Sequence, residues 1–154
     1  MIDEFQSPET NTMADFSIRE AKSDDFDAIV AFWSKIDRHT GLSDRSAYLQ
    51  QFHDFSPELF LVAESEGRVV GTVIGGWDGW RAQIARLATD ASLRRSGIAK
   101  ALVDEIEARL RRHGARRIYA LVDRRSGPAV PFWESAGYAG NENILQYSRN
   151  LEDS

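Results

Sequence analysis

Cysteine is absent from the chain, which excludes disulfides, thiolate metal sites and a cysteine nucleophile. Histidine is scarce, and His39, His53 and His113 show no metal-ligand spacing, so no metal is expected. Positive charge is in deficit: 19 Lys and Arg stand against 24 Asp and Glu, for a net charge of −5. A nucleic-acid binder needs a broad basic face to release counterions, so no nucleic-acid partner is expected. No apolar run approaches the roughly 18 residues of a membrane span, and no signal-peptide pattern is present. No membrane partner is expected, and a cytoplasmic location follows by default.

What is present is the profile of a globular protein, with 154 residues, 42% hydrophobic and 28% charged. That length suits one domain with a sizeable core. Residues 1–15 are polar and patternless and read as a flexible leader, with Met13 as an alternative start. Residues 16–154 read as the single domain.

"FSIREA" (16–21) alternates as a strand. Ser23, Asp24 and Asp25 cap a helix whose Phe26, Ile29, Val30, Trp33 and Ile36 recur at helical spacing. "RHTG" breaks it, and Ser43 opens a shorter helix to about Phe52. Leu59–Ser65 is a strand that turns at Glu66-Gly67 into "RVVGTVIGGW". Asp78-Gly79 then predicts a two-residue hairpin. That register sets Trp77 opposite Trp80, Gly75 opposite Ala82 and Val73 opposite Ile84, so the tryptophans read as a cross-strand pair and not as a ligand platform. The second arm runs to Thr89. A helix follows over 98–113, burying Ile98, Ala101, Leu102, Ile106 and Leu110, and Gly114 stops it, with His113 as a cation suited to the helix end. "RRIYALVD" (116–123) is a strand, 128–136 a short helix, and "GY" and "ILQYSRNL" close the chain as strands. The fold class is mixed α/β, built around one mainly antiparallel sheet. A homodimer through the last strands is compatible with this order.

The junction into the third helix is chemically unusual. "LRRSGIAKAL" (93–102) crowds Arg94, Arg95 and Lys100 where the helix dipole favours acidic residues. A helix N-terminus leaves up to four N–H groups without internal partners and is a ready anion site. Gly97 permits a positive φ or a close approach, and Ala99 keeps the next turn small. Two readings stay open on these residues alone: a solvated basic turn, or a seat for a pyrophosphate. Neither a P-loop nor a dinucleotide fingerprint is present, because the glycines and the Gly-Lys-Ser/Thr ending they need are missing.

With its neighbours the junction resembles the GNAT superfamily of acyl-CoA-dependent N-acetyltransferases. "LATDASLRRSGIAKALV" is similar to the main signature, Arg/Gln-x-x-Gly-x-Gly/Ala between a strand and a helix. "SGPAVPFWESAGY" resembles the second, Asn-x-x-Ala-x-x-(apolar)-Tyr before Gly-Phe or Gly-Tyr. The likeness covers about residues 16–151, and is greatest to small single-domain bacterial members without an assigned substrate.

The resemblance implies a GNAT-like sheet with helices on both faces and acetyl-CoA as acyl donor, lying where the fourth and fifth strands splay apart. Leu87, Ala88 and Thr89 would pair with its pantetheine arm. The Leu87 N–H would act catalytically as oxyanion donor. The loop amides of Arg95, Ser96, Gly97, Ile98, Ala99 and Lys100, with Arg94, would hold the pyrophosphate. Ser126 and Trp133 occupy the family's asparagine and tyrosine positions beside the cofactor. Trp33, His39, Tyr48 and Tyr147 would wall the acceptor pocket, and Tyr119 and Tyr138 are further wall candidates. The acceptor would be a primary amine of a small molecule or a protein.

Three departures matter. Trp133 replaces the general-acid tyrosine and cannot protonate a thiolate. Leu121 stands where one branch carries a catalytic Glu, and the fourth strand offers Gln83 and Arg86 in place of a carboxylate. A non-catalytic acyl-CoA sensor or scaffold is therefore the rival. A toxin-like enzyme acetylating charged tRNA is a third reading, opposed by the acidic balance and favoured only by the basic stretch 109–117.

Overall fold

The structure is a computed structural model and describes residues 15–36 and 44–152. The expected leader falls outside them but for Asp15, as does Ser43. The chain divides into two compact units, one ending at Leu121 and one beginning at Val122.

The first unit holds a five-stranded sheet in the order β1-β2-β3-β4-β5. Its strands are β1 (Ser17–Glu20), β2 (Phe60–Ser65), β3 (Arg68–Trp77), β4 (Ala82–Thr89) and β5 (Ile118–Ala120). The first four pair antiparallel and β5 runs parallel to β4. The helices are α1 (Phe26–Ile36), α2 (Ser46–Phe55) and α3 (Ile98–His113). Both sides of the sheet are covered. Trp33 of α1 reaches Thr72 on one face, while Ile98, Leu102 and Ile106 of α3 lie against Gly71 and Gly75 on the other.

Each helix forms where periodicity and caps agree. The Lys22 N–H donates to the Asp25 carboxylate at 2.7 Å, closing a 3₁₀ turn over Ser23–Asp25 ahead of α1. Ile29 and Trp33 then bury fully against Phe60 and Val62. In α3 the buried stripe is Ile98, Leu102, Val103, Ile106 and Leu110, with Ala101 only half-buried. Burying each large side chain is worth about 1.5–3 kcal/mol, against the few tenths by which helix propensities differ, so packing places this helix. Gly114 ends it with φ +112, its N–H returning to Leu110 and Arg111. Glycines at 71 and 75 let α3 approach β3, because a Cβ at Gly71 would lie 2.8 Å from Ile98 Cγ2 and one at Gly75 would lie 2.9 Å from Ile106 Cγ1.

Four expectations are corrected. The second helix runs on to Phe55 before Pro57 starts a new turn. The hairpin register is two residues off, with Trp77 facing Ala82 and Gly75 facing Ile84. The cause is the Asp78 side chain, whose Oδ1 accepts the N–H groups of Trp80 and Arg81 and makes 78–81 a four-residue loop. Trp80 is left 76% exposed under the Arg81 guanidinium and is not the partner of Trp77. Only Ile118–Ala120 of the expected strand 116–123 joins the sheet, because β4 is bulged just past its pairing with β5. Lastly, "GY" and "ILQYSRNL" form no strand. Residues 143–152 are exposed and join no ladder, and a strand without a partner leaves its backbone groups to water.

The second unit contains α4 (Ala129–Ser135). Trp133 is buried there, 4.7 Å from the Tyr138 ring and 5.5 Å from that of Phe132, both edge-on. No helix of the described residues is long and apolar enough to cross a membrane.

Candidate functional site

The site of the first unit begins with an irregularity in β4. Thr72 pairs with Ala88 and Ile74 with Ala85, so Arg86 and Leu87 together oppose Val73 alone. This is a β-bulge, which bends a strand and re-aims its backbone groups. Arg86 has φ +53, a conformation that costs a non-glycine residue energy and needs support from its surroundings.

Support comes from both ends of the residue. The Arg86 carbonyl accepts the Thr72 hydroxyl at 2.9 Å, and the same hydroxyl oxygen accepts the Trp33 indole N–H at 2.8 Å. Its guanidinium donates to Asp44 at 2.8 Å through Nε, forms a second ion-pair contact through Nη2, and stacks 4.8 Å from the Trp33 ring. Asp44 is only 7% exposed and Thr72 is fully buried. A buried carboxylate survives only when paired and hydrogen-bonded, and here Arg86 is the partner.

Beyond Ile84 the ladder from β4 to β5 stops, while β4 continues to Thr89 against β3 alone. Ala85 to Thr89 therefore form a stretch of strand that β5 leaves uncovered. The chain then passes through a 3₁₀ turn (Ala91–Leu93) on its way to α3. The Asp90 N–H bonds back to the Val70 carbonyl at 2.8 Å, and the Asp90 carboxylate accepts from the Ser92 N–H and hydroxyl. Those bonds hold its carboxyl below the usual range.

The approach to α3 passes through two left-handed residues, Arg95 at φ +68 and Gly97 at φ +84. The Ala101 N–H is the first to bond within the helix, to the Gly97 carbonyl. The N–H groups of Ile98, Ala99 and Lys100 have no acceptor among the described residues. Arg94 and Arg95 are exposed and make no ion pair among the described residues. Lys100 instead bonds Asp104 one turn along at 2.6 Å, which raises its pKa. Ser96 donates its hydroxyl to the Leu93 carbonyl. Three free N–H groups and two uncommitted guanidinium groups make this an electropositive seat that suits a polyanion.

The remaining residues singled out from the sequence are scattered. Trp33 is 1% exposed with its N–H taken by Thr72, so it belongs to the core. Tyr48 is half-buried on α2. His39 lies outside the described residues. His113 faces Glu58 at 3.2 Å at the C-terminal end of α3. Leu121 and Tyr119 are exposed. In the second unit Ser126 occupies a turn, its N–H on the Asp123 carbonyl, and Tyr147 is exposed. No His, Asp or Glu cluster among the described residues would hold a metal.

The clamp of Thr72, Asp44 and Arg86 is what sequence reasoning missed. A signal existed: Thr72 is the one hydroxyl in the run "VVGTVIGG", and a buried hydroxyl must find partners.

Comparison with known proteins agrees with this geometry. An acetyltransferase of Pectobacterium atrosepticum is 32% identical over 136 residues, covering 88% of this chain and 96% of that protein. Among solved structures, Ard1 from Thermoplasma volcanium superposes with a TM-score of 0.73 at 24% identity, over 80% of this chain and 82% of its own. An acetyltransferase from Clostridium acetobutylicum, crystallised with acetyl-CoA, gives 0.68 at 15% identity over 87% and 96%. These structural likenesses establish the fold, and the sequence profile of the acetyltransferase (GNAT) family matches residues 18–138. A bulged fourth strand, its uncovered edge and the Arg-x-x-Gly-x-Ala turn all fall within that match, and the chain belongs to the GNAT acetyltransferase family.

Proposed function

We propose that the protein transfers an acetyl group from acetyl-CoA to a primary amine of a small molecule or protein, by direct attack within a ternary complex. One observation carries the reading: the free N–H groups of Ile98, Ala99 and Lys100, flanked by Arg94 and Arg95, open the helix that follows the uncovered edge of β4 in the chain, after a connection over 90–97. A pyrophosphate on the first and an extended amide-bearing arm along the second is the shape of coenzyme A. The donor bound by the Clostridium acetobutylicum neighbour supports that ligand class.

In this reading Leu87, Ala88 and Thr89 pair with the arm, and the Leu87 N–H donates to the thioester oxygen as it becomes an oxyanion. Removing one such donor typically costs about 10²–10³ in rate. The neutral amine attacks the thioester carbon, the C–S bond breaks, and the electron pair leaves on sulfur. A thiol with a pKa of roughly 8.5 leaves near neutrality without an obligatory acid. That fits a tryptophan, Trp133, at the family's tyrosine position, since an indole N–H is no acid for a thiolate. Ordered water takes the amine proton. Within the first unit, Tyr48, half-buried on α2, is the acceptor-pocket candidate.

The experiment is thiol release from acetyl-CoA against a panel of small amines and peptide amines, with products identified by mass. Amine-dependent release with a matching acetylated product is expected. Coenzyme A binding with no release for any amine would instead make this a non-catalytic sensor, the reading that Trp133 and Leu121 favour.

A further inference from the structure

We propose that Thr72 is a positioning residue that aims the Leu87 N–H, an assignment that rests on the acetyl-transfer reading above. Its hydroxyl has one proton to give, and that proton goes to the Arg86 carbonyl at 2.9 Å. A lone pair of the same oxygen is occupied by the Trp33 N–H at 2.8 Å. An indole nitrogen donates and never accepts, so the chain has one direction: Trp33 N–H to Thr72 O–H to Arg86 C=O.

The consequence follows from peptide planarity. The Arg86 carbonyl and the Leu87 N–H belong to one peptide unit, no peptide bond in the described chain is cis, and in a trans unit the two groups point in opposite directions. A carbonyl drawn towards Thr72 on β3 turns the Leu87 N–H away from β3, towards the side of β4 that β5 covers only as far as Ile84. A regular strand would alternate its groups without help. At a bulge, with Arg86 at φ +53, the peptide plane needs a separate hold. Thr72 supplies it at the carbonyl, and Asp44 with the Trp33 ring supplies it at the guanidinium.

The Leu87 N–H vector is measured by residual dipolar couplings in the ligand-free protein, for wild type, Thr72→Val and Thr72→Ser. Thr72→Val should rotate that vector while neighbouring amides of β3 keep theirs, and Thr72→Ser should restore it. In steady state Thr72→Val should lower kcat by about tenfold to a hundredfold, less than the roughly 10²–10³ lost on removing an oxyanion donor outright because the N–H is misaimed and not deleted, with the KM for acetyl-CoA changed less than about threefold. An unmoved Leu87 vector in folded Thr72→Val overturns the assignment whether or not an acceptor is known. An unchanged kcat beside an active wild type overturns it equally. Should Thr72→Val fail to fold, the wild type still decides. A slowly exchanging Thr72 hydroxyl proton with a cross-peak to the Trp33 indole proton is required, and a freely exchanging one refutes the relay. An inactive wild type with the expected rotation would condemn the acetyl-transfer reading and leave the orientation of Leu87 standing.

Discussion

Ile98, the first residue of α3, fills the space that a side chain at Gly71 would need, with Cγ2 2.8 Å from the position of an added Cβ. Leu102 Cδ1 stands 3.0 Å and Ala63 Cβ 3.3 Å from the same point. A β-branched residue anchored at a helix start has little room to yield. Gly71→Ala should therefore destabilise the protein by about 1–3 kcal/mol, the usual cost of overpacking. Urea denaturation checks it, and because the α3 start is displaced, coenzyme A affinity should fall as well.

Arg19 ties β1 to the entry of α1 by bonding Asp25 at 2.7 and 2.9 Å and Glu64 at 2.7 Å. The Arg19 guanidinium holds the Asp25 carboxyl below its ordinary value; burial opposes it, and the Lys22 N–H adds a smaller lowering effect. A depressed folded value means that the contribution is complete above the unfolded pKa of about 3.9 and is lost as pH falls through the folded value. Asp25→Asn should thus cost about 1–3 kcal/mol between pH 5 and 7. The gap to wild type should narrow progressively below about pH 4. Denaturation midpoints across that range provide the measurement, and a gap independent of pH would contradict the ion pair.

Trp77 and Trp80 should be energetically independent. In the observed loop Trp77 lies over Gly114, 3.7 Å from its would-be Cβ, whereas Trp80 is exposed beneath Arg81. A double-mutant cycle with Trp77→Ala and Trp80→Ala should give a coupling within about 0.5 kcal/mol of zero. A facing aromatic pair would give about 0.5–1.5 kcal/mol, so a value near 1 would restore the two-residue hairpin.

These residues also show what could be read before the structure. Helix α3 was legible to both ends, because a stripe of large apolar residues and a terminal glycine act locally. The junction at Arg94–Lys100 was legible for the same reason, as a surplus of cations in a place where the backbone prefers anions. The hairpin register was not, since it turns on whether the Asp78 carboxylate caps its own loop. Nor was the bulge: nothing in "IARLAT" marks it, and its hold comes from Thr72, Trp33 and Asp44, which are 14, 53 and 42 positions away. The final segment alternates well enough for a strand, but alternation cannot supply a ladder partner.

The seat at the start of α3 is tested by titrating coenzyme A calorimetrically into wild type, Gly97→Ala and Gly97→Glu. Gly97 sits at φ +84 with open space around it, so both substitutions carry the same backbone strain and only one adds a negative charge. Gly97→Ala should lose stability while holding affinity within about threefold, and Gly97→Glu should weaken binding at least tenfold, or about 1.4 kcal/mol. Wild-type affinity retained in Gly97→Glu would mean that the polyanion does not bind there, and the donor site would have to be sought elsewhere.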